Sequence, residues 1–172
     1  MNAFMKNRQF LAVLAVIFFL TMILSSCDNR RIFEEYKSVK GGAWSYDDSI
    51  QFKINIEDTS KHYNIFVDVR HNFYFDWRNI WVIVKTEYPN HKIESSRVNL
   101  PLSASDGVWY GKCSGDICDM RVGIQQNAIF PQKGIYTFTI IQDMRQNPLS
   151  KVLDIGMRIE EYKAETQPEK QP

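Results

Sequence analysis

The chain has 172 residues, with 21 basic and 20 acidic side chains and a formal charge of +1. So even a balance lacks the basic excess of a nucleic-acid binder and the polybasic segment that would hold a protein on anionic lipid. Hydrophobic residues make up 44% of the chain, enough at this length for one buried core and one domain.

Residues 1–26 have the layout of a secretory signal: Lys6 and Arg8, then an apolar run from Phe10 to Leu24 broken only by Thr21. As a helix this run would span roughly 22 Å, short of the ~30 Å hydrocarbon core of a bilayer. Leu24-Ser25-Ser26-Cys27 follows, and an aliphatic residue, two small residues and a cysteine resemble the lipobox of bacterial lipoproteins. That resemblance implies diacylglycerol on the Cys27 sulfur and cleavage before it. The competing reading is an uncleaved anchor with an incidental cysteine. Several acyl chains, at ~0.8 kcal/mol per buried methylene, would fix the domain to a membrane where one chain binds only marginally. Cleavage removes two basic residues and no acidic ones, leaving one negative charge in excess.

Residues 27–43 read as a lipidated tether, with polar Asp28 to Arg31, Gly41-Gly42 as a flexible break, and Ile32, Phe33 and Tyr36 docking part of it on the domain. From residue 44 to 162, period-two patterning dominates. Alternating runs occur at Ile50 to Ile56, Tyr63 to Val69, Val98 to Leu102 and Leu153 to Ile159. Ile80 to Val84 is continuously apolar, which predicts a strand covered on both faces, and Gly134 to Gln142 is β-branched and aromatic. Trp109 to Lys112 and Met120 to Ile124 read as two arms of a hairpin. Turn signals at 58–60, 89–90, 105–107, 115–116, 131–134 and 147–148 separate these runs. About eight short strands predict an all-β, antiparallel β-sandwich, preceded by the helical signal peptide. Residues 163–172 lack any large apolar side chain and read as a disordered tail.

With Cys27 assigned to lipid, Cys113 and Cys118 remain as a C-x4-C pair. In an oxidising compartment they can form a disulfide. Two free thiols are the alternative, and a zinc site would need two further ligands that His62, His71 and His91 do not supply at any ligand spacing. Gly107 to Cys113 misses the phosphate-binding loop by one residue between its glycines and by a cysteine after Lys112. There is no G-x-S-x-G and no H-E-x-x-H, and no base stands beside a nucleophile in sequence. Asp116 and Asp119 read as ordinary loop carboxylates. The expectation is a non-enzyme without cofactor or metal.

The densest aromatic stretch is Phe73 to Trp81. If extended, it puts Phe73, Phe75 and Trp77 on one face. It reads as core strand entering a loop, as a docking face for a partner, or as a glycan platform. Gln142 to Leu149 is long for a hairpin turn and carries both signs of charge. Trp77, Trp81 and Arg145 are the candidate partner-docking residues.

A family resemblance rests on segments in order along almost the whole mature chain. They are Cys27-Asp28, Phe33-Glu34-Glu35-Tyr36, Trp44, Tyr63-Asn64, Val69-Arg70-His71-Asn72, Tyr74, Asn79 and Trp81. The strongest are C-terminal: Phe130-Pro131 to Gly134-Ile135-Tyr136, Gln142-Asp143-Met144-Arg145, Pro148-Leu149 and Asp154 to Glu160. With these the chain resembles the GldH family of gliding motility-associated lipoproteins of the Bacteroidetes. The resemblance implies a cell-envelope lipoprotein, anchored in the outer membrane through Cys27 and contacting other gliding or secretion envelope proteins. It carries over no catalytic residue. The Cys113/Cys118 pair is not a general feature of that family, which favours a local staple. The alternative function is a glycan- or peptide-binding module of a nutrient-uptake lipoprotein.

Overall fold

The structure is a computed structural model and describes residues 30–163. The signal peptide, Cys27 and the tail from residue 164 lie outside the described residues. Eleven strands follow in chain order: β1 Arg31–Ser38, β2 Ala43–Trp44, β3 Ile50–Ile56, β4 His62–Asn72, β5 Asn79–Glu87 and β6 Ile93–Pro101, then β7 Lys112–Ser114, β8 Ile117–Ile129, β9 Gly134–Gln142, β10 Leu149–Ser150 and β11 Val152–Glu161. Every pairing is antiparallel. One sheet has the order β1-β11-β4-β8-β7, a second the order β3-β9-β5-β6, and β10 pairs with β2 as a small third sheet.

Alternation explains the sandwich. Phe52, Ile54 and Ile56 of β3, Val67 and Val69 of β4, Tyr136, Phe138 and Ile140 of β9, and Ile155, Met157 and Ile159 of β11 are all buried in one core. Aromatic edges join the two sheets: Phe33 meets Phe52 at 6.3 Å between ring centroids, and Phe130 lies 5.3 Å from Tyr63 and 4.8 Å from Tyr136.

Two expectations change. The tether is strand from Arg31 onward: β1 covers the edge of β11 and turns Phe33 into the core, so backbone groups that would otherwise form an open edge are paired. The sandwich therefore begins well before residue 44, and β1, β2 and β10 account for the strands beyond eight. Ile80 to Val84 is not covered on both faces. Ile80, Val82 and Val84 are buried, while Trp81 and Ile83 point outward and keep partial exposure.

The strands give the body two ends. At the entry end, Glu161 N–H donates to the Arg30 carbonyl at 2.8 Å and Tyr162 N–H to the His62 carbonyl at 2.8 Å, near the turns at 57–61, 88–92 and 130–133. At the loop end, the segments 73–78, 102–111 and 143–148 gather. Phe73 N–H donates there to the Asp116 carbonyl at 2.8 Å, and Asp143 N–H to the Trp81 carbonyl at 2.8 Å.

Candidate functional site

A groove of about 420 Å³ at the loop end is lined by Trp77, Asn79, Trp81, Arg97, Asp143 and Arg145, with Met144. Trp81 reaches it because its neighbours Ile80 and Val82 take the inward positions of β5. The Arg97 guanidinium, from the adjacent strand β6, lies 4.2 Å from the centre of the Trp81 ring and pairs with Asp143. Trp77, 40% exposed, donates its indole N–H to Gln146 Oε1 at 3.0 Å.

The floor of the groove is fixed from below. Gln142 is buried; its Oε1 accepts from Met144 N–H at 2.9 Å, and its Nε2 faces the Trp44 and Gln146 carbonyls at 3.4 and 3.3 Å. The Tyr46 hydroxyl donates to the Met144 carbonyl, and the Asn147 side chain accepts from Tyr46 N–H at 3.0 Å. The Met144 sulfur accepts the Trp81 N–H at 3.2 Å. The 143–148 segment is thus held by buried polar groups rather than by its own turn. Among the described residues Arg145 makes no ion pair, so it brings an exposed, uncompensated positive charge to the groove.

A second polar surface lies on the outer face of the five-stranded sheet. Tyr36, Gly156, Asp68 and Arg121 stand side by side across β1, β11, β4 and β8. Asp68, 2% exposed, accepts from the Tyr36 hydroxyl at 2.8 Å and from Arg121 through two N–H groups at 2.7 and 2.8 Å. Arg121 also donates to Glu34, which accepts from Arg158 at 3.2 Å. Arg158 reaches on to Glu160 at 2.9 Å. The next row repeats the device: Ser38 donates to Asp154 at 2.6 Å, and Arg70 bridges Asp154 and Asp119 at 3.3 and 2.7 Å. Gly156 makes the first row possible, because a Cβ there would lie 2.8 Å from the Tyr36 ring and 3.0 Å from the Asp68 Cβ.

Electrostatics follow this geometry. Burial pushes the Glu34 carboxyl up, but hydrogen bonds from Arg31 and Arg121 and the charges of Arg121 and Arg158 outweigh it and hold the group below its ordinary value. Burial, then the hydrogen bond and charge of Asp68, raise the Tyr36 phenol to about 12. His71 is lowered by burial against Phe75 and Trp109.

The structure brings Trp77, Trp81 and Arg145 to one groove. The stretch before them is not extended: Phe75 is buried, whereas Phe73 and Tyr74 project from the 73–78 loop. Cys113 and Cys118 face each other across β7 and β8 and are joined by a disulfide, with Gly115 in the turn at a φ of 58°. Asp119 pairs with Arg70 in the outer-face row, and among the described residues no group of three or more His, Cys, Asp and Glu could hold a metal ion. Sequence reasoning did not find Arg97, the pairing of the outer-face rows or the bracing role of Gln142, although Gln142 and several row residues, among them Tyr36, Arg70 and Gly156, lie in the segments that carry the family resemblance. A polar or charged residue in a strand does not say what it meets, and strand register is needed to show which of these side chains come together.

Fold and surface together define an all-β sandwich with an aromatic, partly cationic groove at one end and a closed polar lattice on one face. The chain belongs to the GldH lipoprotein family, whose model, described as "GldH lipoprotein", matches residues 31–159. A relative in Christiangramia forsetii, named "Gliding motility lipoprotein GldH homolog", is 31% identical over 152 residues, covering 84% of this chain and 93% of its own. The "Gliding motility lipoprotein GldH" of Flavobacterium johnsoniae is 31% identical over 163 residues, covering 91% and 97%. This is a lipoprotein family, not a known enzyme family. Among solved structures, the Tobacco streak virus coat protein aligns over 85% of this chain and 96% of its own at 8% identity, but its TM-score of 0.24 carries no inference.

Proposed function

We propose that the protein is a lipid-anchored accessory component of the gliding motility machinery and its linked secretion apparatus, held at the outer membrane by Cys27 and working by protein contact. The groove would receive an extended segment of another envelope protein that offers a carboxylate beside an apolar or aromatic side chain. The observation that carries this reading is Arg145, without an ion pair among the described residues, next to Trp77 and Trp81 on a floor held by the buried Gln142. Exposed Trp and Arg side chains in one concave site are the residue types that dominate contact energies. Family membership and the names of the relatives support the machinery. A glycan platform is the weaker reading, because Arg97 already covers one face of the Trp81 ring.

The test is mild crosslinking in cells followed by pull-down, comparing the native chain with a Trp81→Ala/Arg145→Glu double variant. The native chain should capture gliding or secretion envelope proteins, and the variant should lose more than about tenfold of that yield, the effect of two contact residues at ~1–2 kcal/mol each. Equal capture by both chains would remove the groove from the reading.

A further inference from the structure

We propose that the entry end of the sandwich is a bilayer-contact surface, with Ile32, Ile93, Ile129 and Ile135 set into the lipid interface and the loop end held away from it. The proposal rests on lipidation of Cys27 and goes beyond it, because an anchored domain could equally hang free on its tether.

Tether length is the first observation. Glu161 N–H bonds to the Arg30 carbonyl, so the chain is already tied to the sheet at that residue. Two residues, Asp28 and Asn29, separate Cys27 from Arg30, a span of three Cα–Cα steps. Fully extended they reach about 11 Å, at ~3.6 Å per residue. β8 alone, with 13 residues, is roughly 43 Å long at ~3.3 Å per residue, so the body is several times longer than its tether. The entry end must therefore lie against the bilayer, and lipid is the occupant that the chain outside the described residues brings to it.

The surface of that end is the second observation. Ile32, Ile93, Ile129 and Ile135 are 45%, 63%, 61% and 59% exposed. Ile32 precedes Phe33, Ile129 follows Ala128 and Ile135 precedes Tyr136, and each of those neighbours packs into the core, so alternation turns the isoleucines outward. They ring the end on both sheets: Ile32 and Ile129 on the five-stranded sheet, Ile93 and Ile135 on the four-stranded one. Single exposed apolar residues need no explanation, but four aliphatic side chains around the end from which the anchor departs are a different arrangement. A cleft of about 220 Å³ beside Ile129 is of mixed character, with Ile65 and Phe130 next to Glu94, Ser96 and Gln125. Several charges at this end are paired locally, as in Lys61–Glu161, Lys92–Glu94 and Arg158–Glu160, while Lys133 of the 130–133 turn has no ion pair among the described residues. The four isoleucines make the expected contact apolar, so it should not require anionic lipid.

The experiment uses the full-length protein, processed and lipidated, in phosphatidylcholine vesicles. Ile129→Cys and Ile135→Cys variants carry a polarity-sensitive fluorophore at the entry end, and Val108→Cys and Tyr110→Cys variants carry it at the loop end. Flotation of the vesicles is scored on the same samples. The expected result is blue-shifted emission at positions 129 and 135, with quenching by spin-labelled lipid at least about threefold stronger than at 108 and 110, since interfacial burial reaches only ~5–10 Å into the headgroup boundary. Protein that floats while all four labels report water overturns the contact and leaves the anchor standing. Protein that does not float overturns both. Replacing a third of the lipid by phosphatidylglycerol should leave the emission unchanged; contact that appears only with the anionic lipid would overturn the apolar surface.

Discussion

The groove at Trp81 and the polar row at Asp68 are built from the same residue types, aromatic rings and arginines beside carboxylates, but differ in what is left unbonded. In the row, both oxygens of Asp68 are bonded, Arg121 is shared between Asp68 and Glu34, and Arg158 is held between Glu34 and Glu160. In the groove the satisfied groups lie underneath, and the surface keeps an exposed Trp77 and an Arg145 with no ion pair among the described residues. A closed lattice has nothing to offer a partner and acts on stability. An open cation beside rings, on a fixed floor, can act on binding at little cost to stability.

The largest effect that separates the two surfaces should come from Asp68→Ala. It removes the shared acceptor of Tyr36 and Arg121 from a site that is 2% exposed, and should cost about 2–3 kcal/mol, or roughly 10 °C in the melting temperature. Capture of partners at permissive temperature should be unchanged. Thermal unfolding and the crosslinking yield, measured on the same variant, check this. A stable Asp68→Ala chain that loses its partner would reverse the roles assigned here.

Gln142→Ala sharpens the contrast from the other side. It leaves the Met144 N–H and the carbonyls of Trp44 and Gln146 short of a partner, at about 1–2 kcal/mol. Because the same amide fixes the segment that carries Arg145, this variant should lose both stability and capture. Full capture would mean that the floor does not position Arg145.

The two surfaces were unequally legible in the sequence. Trp77, Trp81 and Arg145 could be selected because large rings and a loop of mixed charge are visible locally, and β3 and β9 begin and end where alternation marks the first and β-branched and aromatic residues mark the second. The Asp68 row could not be selected, because Tyr36, Asp68, Arg121 and Gly156 come from four strands and meet only through register. β1 was hidden for a related reason. It reads Arg-Ile-Phe-Glu-Glu-Tyr-Lys-Ser, mostly polar, and becomes a strand by pairing with β11, more than a hundred residues away. Ile80 to Val84 misled in the opposite direction: five apolar residues looked doubly covered, yet Trp81 is outward because Arg97 and Met144 shelter it there.

The smallest effect is a pH dependence that belongs to the lattice and not to the groove. Glu34 titrates below its ordinary value of 4.5 in the folded chain, so its stabilising contribution is complete above that pH and is lost as the pH falls through the lower folded value. His71, lowered from 6.5 by burial, adds a decline that starts as the pH drops below 6.5. Tyr36 behaves oppositely. Its phenol is raised from 10.0 to about 12, so its contribution is complete below pH 10 and fades between 10 and 12. Tyr88, raised to about 12 by its hydrogen bond to Glu94 and by burial, adds to the same alkaline decline away from the lattice. Melting temperature against pH should therefore be flat from about 7 to 10 and fall on both sides, gently, because Tyr36 is partly exposed and solvent screens its partners. Tyr36→Phe should flatten one part of the alkaline limb and Tyr88→Phe another, Tyr63, raised by burial and the Asp58 charge, should keep the remainder, and Glu34→Gln should flatten the lowest part of the acid limb. An alkaline limb left unchanged by Tyr36→Phe would mean that the Tyr36–Asp68 bond does not hold the phenol neutral, and the lattice would lose the coupling that distinguishes it from the groove.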